Sequence, residues 1–465
     1  MVSRRDQFQS YQFLVNRVVS AMLMAETDAA QAPPRRGIGA LFAGAMIAMI
    51  VAAGFGVAGI LTKVGGDDWR TEAAVIVERE TGATYVYLDG TLHPALNYAS
   101  ALLISGRSFV EPFRVSSSAL AGVPRGVPLG IPGAPTSLPH RDRVVRGPWS
   151  LCAHPVTDDA GRSQTGTTLV VGDTLARART VDPDAALLVR TVQPAETYLI
   201  WRGHRHLVRQ ADTVLAALYA GPLPTAPVTP AWLNALPEGQ EIAPIEVADF
   251  GEPAVTPQWN VGTILVSQTG TGPRYFVVLA DGLAPITDLQ RVLIQIRHDV
   301  TPVDVSLATV NETETSSGFT ATEPDQGQLP STPPPLAEVE PGQAACVVSE
   351  DASGHLSLTV GGELPTTAIV TTSQSVDGAP LADRVAIAAG SVAVVEAMPA
   401  QSAPTGTLSI VTDTGHAFVV PSPAVLAMLG YQAEDVMRLP VAFVQRLPVG
   451  PALDPDAARQ PASAA

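Results

Sequence analysis

Residues 38–61, IGALFAGAMIAMIVAAGFGVAGIL, run for 24 positions without a charged side chain. Wound as an α-helix, that length rises about 36 Å, enough to cross a hydrocarbon core of roughly 30 Å with some tilt. A cleaved signal peptide has an apolar stretch of only about 7 to 15 residues close to the terminus, whereas this one begins at residue 38. The segment reads as a transmembrane helix that divides the chain into a short N-terminal part and a large remainder. Arg35 and Arg36 abut its start, so the positive-inside rule predicts a cytoplasmic N-terminus and residues 62–465 on the far side. Within it Ala40, Gly44, Ala48, Ala52 and Gly56 recur every fourth residue, a small-residue ridge that would let another helix approach closely. Half of the segment is Ala or Gly, so composition alone can also produce such a register.

The charge balance differs on the two sides of the anchor. Residues 1–37 hold Arg4, Arg5, Arg17, Arg35 and Arg36 against Asp6, Glu26 and Asp28, a balance of +2. The whole chain carries −16, which leaves −18 for everything after. With Lys63 as the only lysine, nucleic acid is not an expected partner, because phosphate neutralisation needs clustered Lys and Arg. A hydrophobic content of 46% over 465 residues implies more than one packed unit, and 39 Gly and 41 Pro favour short strands and turns over long helices.

Ahead of the anchor, Ser3 with Asp6 fits a helix start, and Phe8, Tyr11, Val15, Val18 and Met22 form one apolar stripe at 3,4,3,4 spacing. Such a stripe must be covered by a partner protein or by the membrane surface. The opposite face carries Gln7, Gln9, Gln12 and Asn16 with few cations to attract lipid head groups, which favours docking to a partner.

The part beyond the anchor contains a divergent repeat, read in four places as strand, turn, second strand, Gly turn and helix. The first has strands at 74–77 and 85–88, turns at Thr81-Gly82 and Asp89-Gly90, and a helix at 94–103. The second has strands at 187–191 and 198–201, Gly203, and a helix at 211–218. The third has strands at 263–267 and 275–279, turns at Gly270/Gly272 and Asp281-Gly282, and a helix at 288–294. The fourth has strands at 408–412 and 418–420 around Gly415, and a helix at 424–429. A tail with a hydrophobic-Pro-x-Gly turn follows the first, second and fourth units, at 120–135, 233–244 and 444–455, and no such turn follows the third.

Between the units lie two matching hairpins, CAHPVTDDAGRSQTGTTLVVGD from Cys152 and CVVSEDASGHLSLTVGGE from Cys346. These two cysteines, the only ones in the chain, would tie the hairpins into a central β layer if bridged. A loop of about 200 residues closed in this way is worth roughly 5 kcal/mol as an upper figure in the chain-entropy model. Two free buried thiols are the alternative reading.

The expected organisation is a cytoplasmic segment 1–37, anchor 38–61, first repeat 62–135, central segment 136–180, second repeat 181–250 and third repeat 251–305. A flexible Pro/Thr/Glu-rich linker 306–342, a second central segment 343–400, fourth repeat 401–458 and tail 459–465 complete it.

Taken together, several stretches resemble the EccB membrane component of type VII (ESX) secretion systems. They are SRRDQFQSYQFLVNRVVSAM (3–22), HPALNYASALLISG (93–106), GPWSLC (147–152), ADRVAIAAGSVAVV (382–395), LGYQ (429–432) and LPVGPALDPDAA (447–458). The resemblance covers nearly the whole chain and departs from the family at Ala388-Ala389-Gly390, where a Pro-rich turn is more usual. It departs again at Pro421-Ser422-Pro423, where a Gly turn would sit. It implies a mainly β (α+β) fold: a single transmembrane helix and an elongated exterior domain of four β-hairpin/helix repeats around a disulfide-linked central β region. It also implies a core subunit of an inner-membrane secretion complex with its large domain in the periplasm. The implied partners are an FtsK/SpoIIIE-like ATPase subunit, a multi-span channel-like subunit and further components, and the exterior domain is expected to assemble with copies of itself.

Chemistry is sparse. A Walker A cradle needs a lysine after glycine, and Lys63 borders the anchor, so no residue is nominated to bind ATP although some members of the resembled family are labelled ATPases. His204 and His206 at i, i+2 could share a strand face as metal ligands, but no third ligand is near and a polar turn is the expected reading. No Gly-x-Ser-x-Gly elbow occurs, and Asp67-Asp68 and Asp158-Asp159 read as solvated turn carboxylates. The expectation is a structural subunit without catalytic residue, cofactor or metal. The rivals are an exterior nucleotide hydrolase and a cell-envelope-binding anchor, the latter lacking any aromatic cluster among the five Trp.

Overall fold

The computed structural model describes residues 3–24, 34–61, 67–157, 160–316, 318–319, 327–350, 355–400 and 402–462. The chain falls into two units, one of residues up to 70 with 114–122, the other of 71–113 with 123–465. The first unit contains two long helices. Arg4–Met24 starts where the Ser3 hydroxyl accepts the Arg5 N–H at 3.3 Å. Pro34–Leu61 opens on a proline, which fits a first helical turn because its missing N–H would be unpaired there anyway. Its stretch Gly39–Val57, with mean hydropathy 2.2, is the one helix among the described residues long and apolar enough to cross a membrane.

In the second unit each repeat is a three-stranded antiparallel meander followed by a helix. The third strand, Thr91–Pro94, His204–Leu207, Gly282–Ile286 or Ala417–Val419, is one the sequence pattern did not reveal. It is too short to show alternation, and Pro or His interrupts its apolar character in the first three copies. The turns that lead into it set its register: Asp89-Gly90 and Arg202-Gly203 both adopt positive φ, as a tight two-residue hairpin turn requires. The first helix is Tyr98–Ser105 rather than 94–103. Pro94 stays in the strand, the Asn97 side chain caps the Ser100 N–H at 2.9 Å, and Gly106 closes the helix in the left-handed region.

The fourth repeat begins earlier than expected. Its first strand is Val392–Met398, which pairs with Thr407–Thr412 from Val392↔Thr412 to Ala397↔Thr407, and Ala417–Val419 is its third strand. The stretch 408–412 is therefore the second strand, and Gly415 supplies the hairpin turn that seemed missing. Pro421-Ser422-Pro423 instead starts the helix Pro423–Met428, with Ser422 accepting the Val425 N–H.

After the helix a strand returns parallel to the first strand: Thr225–Val228 on Leu187–Thr191, Val303–Asp304 on Ile264–Thr269, and Val436–Pro440 on Val392–Met398. A tail then adds to the other edge by the same two bonds in every copy. Leu92, Arg205, Leu283 and Ala417 donate to the carbonyls of Pro124, Pro237, Glu314 and Pro448, and accept from the N–H groups of Gly126, Gly239, Ser316 and Gly450. The third repeat thus has its tail, contrary to expectation, with Glu314-Thr315-Ser316 in place of Pro-x-Gly.

The substitution has a steric cause. A Cβ on Gly126, Gly239 or Gly450 would lie 2.3, 2.4 or 2.2 Å from a ring atom of His93, His206 or Phe418. In the third repeat the corresponding residue is Ala284, so the buried Ser316 fits where the others need glycine.

Seven strands form the central sheet, in the order Ile369–Val370, Arg384–Ala386, Ser163–Val171, Trp149–Thr157, Ala345–Ser349, Leu356–Gly361, Ala178–Thr180. At its middle Cys152 sits directly opposite Cys346, and the two form the expected disulfide. Each half contributes a hairpin, and a later strand of each half flanks the other half's hairpin: Ala178–Thr180 runs antiparallel beside Leu356–Gly361, and Arg384–Ala386 runs parallel beside Ser163–Val171. Repeats one and two with the first hairpin therefore repeat the plan of repeats three and four with the second.

Packing follows the same plan. Trp149, Leu151 and Leu169 of the sheet share a core with Val189 and Trp232 of repeat two and with Val395 and Phe443 of repeat four. Repeat one packs on repeat four through Leu103, Ile104, Leu426 and Tyr431, and repeat two on repeat three through Val214, Leu215, Leu289 and Leu293. The segment expected as a flexible linker is ordered in several of its described parts. Leu307–Glu312 is a helix capped by Ser306, Pro330 and Pro334 are buried, and Ala337 and Ala186 are bonded through their backbones. Residues 317 and 320–326 lie outside the described residues.

Candidate assembly surfaces

On Arg4–Met24 the whole expected stripe is exposed: Phe8, Tyr11, Val15, Val18 and Met22. Phe13, Leu14 and Val19 are exposed as well, so the apolar surface is broader than the stripe alone. In the anchor, Ala40, Gly44, Ala48, Ala52 and Gly56 are all exposed on the helix surface, and a Cβ on Gly44 or Gly56 would meet nothing within 4 Å.

The second unit is locked by bonds between its repeats and the segments that lead into the central sheet. Tyr431, after the helix of repeat four, donates to the Pro139 carbonyl at 2.7 Å, and Tyr219, after the helix of repeat two, donates to the Pro334 carbonyl at 3.0 Å. Burial pushes the Tyr219 hydroxyl up to about 12 and raises that of Tyr431 further, so both stay protonated donors. Asp435, with no exposed side-chain surface, accepts from Arg141 Nε at 2.7 Å, from Arg146 and from the Gln432 N–H at 2.8 Å. Burial works against its ionisation, but the Gln432 N–H and the arginines outweigh it and hold the carboxyl below its ordinary range. These clamps were not read from the sequence, since a Tyr and a Pro some hundred or more positions apart leave no local pattern.

His206 is fully buried on its strand rather than in a turn, and its Nδ1–H donates to the Gln240 carbonyl at 2.8 Å. His93 makes the corresponding contact with the Val127 carbonyl at 3.1 Å. These imidazoles fasten tails, and burial lowers the His206 pKa below its ordinary value. His204 Nδ1 faces the Arg202 carbonyl. Among the described residues no three His, Cys, Asp or Glu side chains gather as a metal site. Of the turn carboxylates, Asp67 pairs with Arg70 at 3.2 Å, and Asp158-Asp159 and Lys63 lie outside the described residues.

One apolar helix long enough for a membrane, an uncovered helix before it, and a duplicated β body locked by a disulfide define a membrane-anchored structural subunit. The chain belongs to the EccB family, described as "Type VII secretion system ESX-1, transport TM domain B", whose model matches residues 1–464.

Among curated relatives it is similar to the ESX-3 secretion system ATPase EccB3 of Mycolicibacterium smegmatis, 28% identical over 97% of this chain and 89% of the relative. It is also similar to the ESX-5 secretion system ATPase EccB5 of Mycobacterium tuberculosis, 30% identical over 63% of this chain and 59% of the relative. Among solved structures it resembles a chain of an intact ESX-5 inner membrane complex, with TM-score 0.67 and 25% identity, covering 100% of this chain and 96% of that one. It also resembles a chain of the EccB3 dimer from the ESX-3 core complex, with TM-score 0.64 and 28% identity, covering 83% of this chain and 100% of that one.

Proposed function

We propose that this chain is a core subunit of an ESX inner membrane complex that holds other membrane subunits together. The N-terminus faces the cytoplasm and residues 62–465 the periplasm, a placement supported by the arginines at the start of the anchor. Arg4–Met24 and the small-residue ridge of the anchor dock to an FtsK/SpoIIIE-like ATPase subunit and a multi-span channel-like subunit, while the exterior unit assembles with further copies. The observation that carries this reading is the exposed row Phe8, Tyr11, Val15, Val18 and Met22. Exposed apolar surface of that extent marks a partner site.

The test is Val15→Asp with Val18→Asp, which places charge in the docking seam at a cost of several kcal/mol if the seam is dry. The variant is expected to insert, keep its disulfide and drop out of the purified complex, with secretion lost. Wild-type recovery and secretion would favour a helix lying on the membrane surface instead.

The word ATPase in the relatives' names favours one rival, nucleotide hydrolysis by the exterior unit. It would be supported by turnover in purified protein that a point substitution abolishes.

A further inference from the structure

Among the described residues the central sheet has seven strands, three from the first half and four from the second. On one side it ends with Ala178–Thr180, and on the other with Arg384–Ala386 and one strand more, Ile369–Val370. The surplus strand belongs to a hairpin that only the second half carries, with its base at Ala382 buried in the core under the sheet. Its turn is well fixed. Ser375 N–H donates to the Ala379 carbonyl, Gly378 N–H to Ser375, and Leu381 N–H to Ser373, at 2.9 to 3.0 Å. Arg446, buried and without a carboxylate partner among the described residues, donates to the Pro380 carbonyl at 2.8 Å and accepts the Ala382 N–H on its own carbonyl.

This firmly held projection presents apolar side chains to water. Val376 is fully exposed at the tip, and Val370 is 68% exposed on the free edge strand. A β-branched residue is a poor choice for a solvated turn, where Gly, Asn, Asp, Ser and Pro dominate. Two of these exterior units, each carrying the −18 of residues after the anchor, repel one another over most of their surfaces. Across residues 364–382, by contrast, Asp377 is the only charge. Like-charged bodies can come together only where charge thins out, and this patch combines low charge, exposed valines and an open strand edge.

We infer that the hairpin around Val376 is a contact between two copies of this chain, meeting tip to tip across a two-fold axis. The inference deepens the assembly reading above and rests on it. Both native cysteines are in the bridge, so an introduced cysteine is a unique handle. Val376→Cys in the full chain, oxidised in native membranes, is expected to give a covalent homodimer. Val449→Cys, 67% exposed on the tail of repeat four, serves as the control and is expected to give none. Adding Val370→Asp should lower the yield about tenfold, as the loss of an interface anchor does.

Absence of a homodimer above the control, or a cross-link to a different subunit, overturns the inference. Complex recovery from the same sample separates the outcomes: a complex recovered without the cross-link removes this contact alone, whereas a chain recovered by itself removes the assembly reading.

Discussion

The first half of the second unit, from Ala74–Glu78 through the Cys152 hairpin to repeat two, and the other half, from Ile264–Thr269 through the Cys346 hairpin to repeat four, follow the same order of repeat, hairpin and repeat. Where they agree, the shared features are ones that packing enforces. Trp232 and Phe443 each follow a returning parallel strand and each fill the core under the central sheet. Tyr219 and Tyr431 each clamp the segment that leads into a hairpin. Where the halves differ, the change is compensated locally, as with Ala284 and Ser316, or it adds something on the surface, as with the hairpin at Val376. Such comparison within one chain separates residues kept for folding from residues placed for contact.

The largest effect should come from the joint between the halves. Cys152→Ala or Cys346→Ala removes a bridge spanning 194 residues and is expected to destabilise the second unit by about 2 to 5 kcal/mol. Non-reducing electrophoresis and chemical denaturation check it. Free alkylation of both thiols in the folded wild-type protein would contradict the joint altogether.

A smaller effect tests the compensation between ring and glycine. Gly450→Ala puts a methyl against Phe418 and should cost about 1 to 3 kcal/mol, as overpacking does. Adding Phe418→Ala should leave the glycine change nearly neutral, while Ser316→Gly in the third repeat should show no such coupling. A double-mutant cycle measured by denaturant melts reads the difference, and equal costs in both backgrounds would break the comparison.

The smallest effect concerns pH. Burial favours neutral His206, so its folded pKa lies below the ordinary 6.5. The stability it contributes is full above pH 6.5 and is lost as pH falls from there toward the folded value. His154, also lowered by burial, adds to the same window. His206→Asn should flatten part of this dependence in melts at pH 7.5 and 5.5. An unchanged slope would mean that the imidazole stays neutral in neither state or in both.

Much of this fold was legible because its signals are local. The anchor declares itself by length, the strands 187–191 and 275–279 by apolar runs, and the helix at Ala211–Leu218 was placed to the residue. The cysteine hairpins announced their likeness by sequence alone. What escaped was short or distant. Third strands of three to five residues carry too few positions for alternation, and without them the fourth repeat was entered one strand late. The proline-rich stretch 327–342 looked like linker because its partners, Ala186 and Tyr219, are remote in sequence. His206 looked like a metal ligand or turn residue because only the tail behind it reveals its carbonyl partner. On the helix Arg4–Met24 the stripe was readable in full, since exposure there depends on no tertiary contact.

Whether this chain is a structural subunit is tested most directly by what it brings with it from the membrane. Tagged full-length chain, purified from detergent-solubilised membranes and identified by mass spectrometry, should carry the other ESX membrane subunits in fixed proportion, with the Cys152–Cys346 bridge intact. Recovery of the chain alone, under conditions where those subunits are present and stable, would contradict the account.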